Sequence, residues 1–227
     1  MKPLSSLTSK SPRTDTRNTE PRWPALIAIL VVGGLNLAQP DSISFGPKWA
    51  LIVVIALLSI PTILTHRARL NDLNQIFGYL VIGIETFALI ASVCALVAVL
   101  PKGIEKPIPL LKSAGLLWIT NIIVFALWYW RLDAGGPHKR DSCDGHTRGA
   151  FLFPQMTIDD NSPAKERNWS PLFVDYLFVA FNTATAFSPT DTPVLSRWAK
   201  ALTMLQSSIS LTIITLLTAR AVNILTG

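Results

Sequence analysis

Glu85 and Arg220 are ionisable groups set inside long apolar runs, and that placement makes them the first residues to ask about chemistry. A charge at membrane depth is expensive and is usually paired or functional. Glu85 lies about ten residues into one run and Arg220 about six from the end of another, so a Glu85–Arg220 ion pair is expected. Other readings are a proton-carrying Glu85 and an Arg220 that snorkels to the interface. A second group clusters near the C-terminus: Asp175, Asn182, Thr183, Thr185, Ser188, Thr190 and Asp191. Their oxygens could line a hydrophilic path, or bond backbone and adjacent helices. Asn121 and Asn223 also fall in apolar runs, where an amide most often ties one helix to the next.

Catalytic chemistry finds little support. His138, Cys143 and His146, with Asp141 and Asp144 between them, give the spacing H-x4-C-x2-H, unlike the paired short spacings of structural zinc sites. No Ser-His-Asp order, phosphate-binding loop or dinucleotide fingerprint occurs. The three histidines lie outside the apolar runs. We therefore expect no enzyme, no metal and no cofactor.

The elements that must position these residues are membrane spans. Half of the 227 residues are hydrophobic and only 15% are charged, against about 25% in a soluble domain. Residues 1–22 form a basic, Ser/Thr/Pro-rich tail that cannot bury a core. Residues 23–130 read as four transmembrane helices, at 23–38, 48–65, 75–100 and about 110–130, since a crossing takes about 20 apolar residues. Gly33-Gly34 suits close helix packing. Trp128-Tyr129-Trp130 reads as an interfacial aromatic belt. Residues 131–171 form one long hydrophilic loop whose FLFPQM stretch is apolar enough to dock on the bundle. Residues 172–187 are either a short fifth span or a pore helix; a turn and a last span at 198–225, with Ser196 as its N-cap, complete 172–227. The expected fold is all-α, a polytopic bundle of five or six spans.

If every run crosses, a cytoplasmic N-terminus places thirteen of the twenty Lys and Arg residues inside: five in the tail, Arg67 and Arg69, and six in 131–171. That distribution favours six spans with both ends cytoplasmic. It also accounts for the net charge of +6 without nucleic acid, because the basic residues flank apolar runs.

Two resemblances rest on the C-terminal half. The segment TNIIVFALWYWRLDAGGP at 120–137, with FVDYLF, NTATAFSPTD and ARAVNIL over 173–225, resembles a family of uncharacterised bacterial multi-pass membrane proteins. That likeness implies a fold type and an inner (plasma) membrane location. The order of span, loop, short apolar helix, Thr-rich turn ending in Asp191 and last span is similar to a potassium-channel pore module. Thr185-Ala186-Phe187-Ser188-Pro189-Thr190-Asp191 falls where such channels carry TTVGYGD. This turn has no glycine and contains Pro189, so it departs from a potassium-selective filter. The resemblance implies a pore-loop permeation protein of other selectivity, a homo-oligomer passing inorganic ions. A non-transporting scaffold or sensor and a small proton-coupled transporter are the alternatives.

Overall fold

A computed structural model describes residues 20–40, 43, 47, 49, 52–57, 71–99, 107–142, 149–159, 162, 169–185 and 192–226. The main elements are α1 (Trp23–Leu37), α2 (Asn71–Val99), α3 (Pro107–Leu132), α4 (Pro137–Ser142), α5 (Phe173–Thr185) and α6 (Arg197–Thr226). Residues 52–57 are also helical. Among the described residues the fold is helical, and three helices, within α2, α3 and α6, are long and apolar enough to cross a membrane, which suggests a membrane protein. The bounds follow local chemistry. Pro24 sits in the first turn of α1, where its missing N–H costs nothing. Ser196 caps α6 as expected, its Oγ accepting the Ala199 N–H at 3.3 Å.

α3 is the central helix: 61% of its apolar window is buried, against 22% for α6. It packs on α1, α2, α5 and α6. The contacts fix the direction of each neighbour. Trp130 meets Glu20 while Ser113 meets Gln39, so α1 runs antiparallel to α3. Arg131 meets Asn74, and Trp128 meets Thr86, so α2 does too. Trp118 bonds Ser210 and Asn121 bonds Gln206, which makes α6 antiparallel to α3. Trp130 packs on Phe173 and Trp118 on Phe181, so α5 is also antiparallel to α3.

It follows that α5 and α6 are parallel. Ala180 pairs with Gln206 and Ala184 with Ser210, so both helices advance together. Helices joined by one crossing turn would run in opposite directions. Instead, the chain after α5 is back at its starting end by Thr192: Val194 bridges Phe151, Leu152 N–H donates to Pro193 O at 2.9 Å and Leu195 N–H to Ala150 O at 2.7 Å. The start of α1 and the finish of α6 therefore lie at opposite ends of the bundle. Six crossings with both chain ends on one side, one of the two arrangements expected, would need α5 and α6 to run antiparallel.

Of the two adjacent glycines in α1, only Gly33 is needed for packing. A Cβ there would meet Ile52 Cγ1 at 2.9 Å, while one at Gly34 meets nothing within 4 Å. Gly33→Ala should cost about 1 kcal/mol, and Gly34→Ala should be neutral or gain up to about 1 kcal/mol from helix propensity. Thermal midpoints of the two variants in mild detergent, moving apart in those directions, would show it.

Candidate functional site

The residues with functional potential fall at three levels. The first is the elbow after α3. Ala134, Gly135 and Gly136 take φ of 50°, 79° and 94°, turning the chain sharply. A Cβ on Gly136 would meet Arg131 O at 2.9 Å, so glycine is required at that position. The turn folds α4 back over the bundle and buries Arg140. Its guanidinium donates to Trp130 O (2.8 Å), Asp133 O (2.9 Å) and Glu20 Oε2 (2.9 Å), and lies 5.2 Å from the Tyr176 ring centroid. Glu20 Oε1 accepts the Trp130 indole N–H. Burial pushes the Glu20 carboxyl above its ordinary value, and Arg140 pulls it back toward the charged form. Asp133, fully buried, accepts the Ala150 N–H and the Tyr176 hydroxyl (2.6 Å). This network locks the start of α1, the end of α3, the 149–153 segment and the start of α5 into one unit. Phe151 and Phe153 pack on Tyr176, and Phe151 also on Tyr129 and Trp198, so the FLF stretch docks on the bundle.

The second level is the inner end of α5. Thirteen residues make α5 about 20 Å long. Its last residues pair with Gln206, Ser207 and Ser210, which lie about 14–20 Å along α6 from Arg197. The last described turn of α5 thus lies near the middle of α6. A helix end leaves up to four carbonyls without partners. Here hydroxyls meet three of them: Thr185 Oγ1 donates to Asn182 O at 3.0 Å, Ser207 to Thr183 O at 3.4 Å and Ser210 to Ala184 O. Gln206, fully buried, clamps the three helices. It donates to Ala180 O (2.7 Å), accepts the Tyr129 hydroxyl (2.6 Å), and its backbone carbonyl accepts Asn121 Nδ2 (3.2 Å). Gln206→Leu removes these side-chain partners and leaves the buried Tyr129 hydroxyl only Thr183 to bond. It should cost about 1–3 kcal/mol. A thermal midpoint within 1 °C of wild type would contradict that role.

The third level is Glu85, enclosed between α1, α2 and α3 beside Asn36, Gln39, Ser92 and Thr120.

Against these positions the sequence expectations divide. Asp175 caps α5: its Oδ2 accepts the Leu172 N–H at 2.7 Å, which also places a carboxyl group at the positive end of the helix dipole. Thr183 donates to Val179 O in its own helix, and Asn182 is half-buried. Ser188, Thr190 and Asp191 lie outside the described residues, as does the side chain of Asn223. Asn121 bonds the neighbouring helix, the structural use expected of it.

The Glu85–Arg220 pair does not form. Neither Glu85 carboxyl oxygen has a hydrogen-bond partner. The pairing of α2 and α6 with α3 also sets the two residues at different depths, since Glu85 shares its cavity with Leu117 and Thr120 while α6 passes Trp118 already at Ser210. Equal distance from presumed span ends was a poor guide because α6 runs parallel to α2 and carries Arg220 to the opposite end of the bundle. The aromatic belt is likewise not lipid-facing: Tyr129 and Trp130 are buried and Trp128 donates to Thr86 Oγ1 at 2.8 Å.

Sequence reasoning missed Glu20, Asp133, Arg140 and Gln206. The first three sit in polar segments where charge is unremarkable, and only their burial distinguishes them. Gln206, an amide within an apolar helix, carried the same signal as Asn121. No protein-family model, curated protein or solved structure matches the chain.

Proposed function

We propose that this chain is one subunit of a pore-forming membrane protein, in which α5 enters the bilayer from the elbow end, stops near its middle and hands the chain back to the same end. The observation that carries this reading is the parallel course of α5 and α6 with both starts at one end. Irregular backbone at membrane depth is tolerated only where protein covers it or water lines it. Six residues, 186–191, separate Thr185 from Thr192; seven peptide steps reach at most about 24 Å, enough to return along a helix of about 20 Å. Symmetric assembly of several copies supplies the walls that one copy lacks, with the end of α5 and α6 facing the path. Val174, Phe178 and Phe181 form an uncovered apolar face on α5 that suits a neighbouring subunit. The carbonyl end of α5 points inward, and its dipole favours a cation there. The turn's lack of glycine argues for weak selectivity among cations.

Lys and Arg set the orientation. Segments joined at the elbow end carry fifteen of the twenty: five in the tail, Arg67 and Arg69, six in 131–171, and Arg197 with Lys200. Segments joined at the opposite end carry Lys48, Lys102, Lys106 and Lys112. The elbow end is therefore cytoplasmic in this reading, and the pore segment enters from the cytoplasm of a bacterial inner membrane. Purified protein reconstituted into planar bilayers should give discrete currents whose reversal potential in a KCl gradient lies toward that of K⁺. A folded, oligomeric preparation without conductance would refute the proposal.

A further inference from the structure

Glu85 is the middle residue of α2, with fourteen residues on each side. It is 1% exposed, and neither carboxyl oxygen has a hydrogen-bond partner. A carboxylate so placed is costly unless something neutralises it. The cavity beside it is lined by Asn36, Gln39, Ser92 and Thr120 among apolar Val32, Leu89 and Leu117, with room for about one water-sized guest. The polar groups around it are turned to offer oxygen. Gln39 is 2% exposed and donates its amide Nε2 to Ser113 O at 3.4 Å, which leaves Oε1 as its unpartnered atom. Ser92 is 1% exposed and its Oγ has no partner. Thr120 commits its hydroxyl proton to Leu116 O at 2.8 Å, so its lone pairs remain available.

We propose that this cavity binds one monovalent metal cation, held by Glu85 with Gln39 Oε1, Ser92 Oγ and Thr120 Oγ1. Oxygen donors suit hard cations, and a single carboxylate matches a single positive charge, whereas divalent calcium usually collects several. A proton on Glu85 would neutralise the carboxylate and supply one donor, enough for one of the surrounding oxygens; a cation can be shared by several of them. The site stands apart from α5 and does not depend on conduction. Sodium is the ion to test first: it is smaller than a water molecule and holds oxygen ligands at shorter distance than potassium, so it can draw Gln39, Ser92 and Thr120 in around Glu85.

The full-length protein in mild detergent tests this without any transport assay. Thermal midpoints are compared in NaCl, KCl and N-methylglucamine chloride at equal ionic strength and fixed pH. Sodium should raise the midpoint of the wild type in a saturable way, because a ligand that binds only the folded state stabilises it as its concentration passes Kd. Glu85→Gln should lose that response while unfolding in N-methylglucamine chloride no lower than wild type, since it removes a buried charge. Ser92→Ala should keep the response with a half-saturating concentration several-fold higher. Equal midpoints in the three salts, or a sodium response retained by Glu85→Gln, would overturn the proposal. A stability that follows pH instead of sodium, and loses that dependence in Glu85→Gln, would assign a proton to the site and overturn it as well.

Discussion

Arg140→Ala should destabilise the folded protein by about 3–5 kcal/mol, the typical effect of stranding one member of a buried ion pair. The side chains of Arg140 and Glu20 retain only 2% and 5% exposure, so solvent cannot replace the lost partner. The guanidinium also donates to the carbonyls of Trp130 and Asp133, and without it the Asp133 carbonyl keeps only the Gly136 N–H. A double variant, Glu20→Leu with Arg140→Met, should recover a large part of the loss, because it removes both charges and retains the packing volume. The neighbouring Arg22–Asp141 pair, with side chains 19% and 18% exposed, should matter far less, and Arg22→Ala should cost under about 1 kcal/mol. Denaturant titrations in one detergent would rank the three. Equal losses for Arg140→Ala and Arg22→Ala would mean that the elbow network is wet and not a structural lock.

Gly78→Val is the second substitution with a large expected effect. Arg131 lies across Gly78, and a Cβ there would fall 1.8 Å from its Cζ. The guanidinium is buried and donates to the carbonyls of Asn74 and Gln75 at the start of α2, with its Cζ 5.7 Å from the Tyr79 ring centroid. A branched side chain must expel it, and the buried hydrogen bonds to Asn74 and Gln75 are lost with it. The cost should be about 3 kcal/mol or more, in the range set by lost charged hydrogen bonds and overpacking. Gly83→Val, in the same helix with nothing within 4 Å of its would-be Cβ, is the control and should stay within about 1 kcal/mol.

The helices themselves were legible because run length and apolarity fix them. The runs at 75–100, 110–130 and 198–225 became Asn71–Val99, Pro107–Leu132 and Arg197–Thr226. Each helix extends a few residues past its apolar run, since polar residues continue a helix into the cap. Direction was not legible. Residues 172–187 carry the apolarity of a crossing, thirteen of the described ones form α5, and nothing local states that the chain returns. That information lies in long-range pairs: Gln206 and Ser210 against α5, and Val194 against Phe151. The buried network was illegible for a related reason. Glu20, Asp133 and Arg140 look like solvated loop charges until the positive-φ turn at Ala134–Gly136 folds them inward. Glu85 was legible as a buried acid, and its partner was misjudged because depth was inferred from span ends and not from packing.

The course of α5 is the claim on which the pore reading depends, and the sidedness of its two flanks tests it most directly. Leu172 and Leu195 bracket the segment and are 41% and 54% exposed, while Ile108, 73% exposed, marks the opposite end of the bundle. Single cysteines at these three positions, in a background with Cys94 and Cys143 replaced by alanine, would be treated with a membrane-impermeant thiol reagent in intact cells and in opened ones. The account predicts that Leu172→Cys and Leu195→Cys react only after the cells are opened, and that Ile108→Cys reacts in intact cells. Labelling of Leu172→Cys and Leu195→Cys from opposite sides would make α5 a crossing and contradict the account.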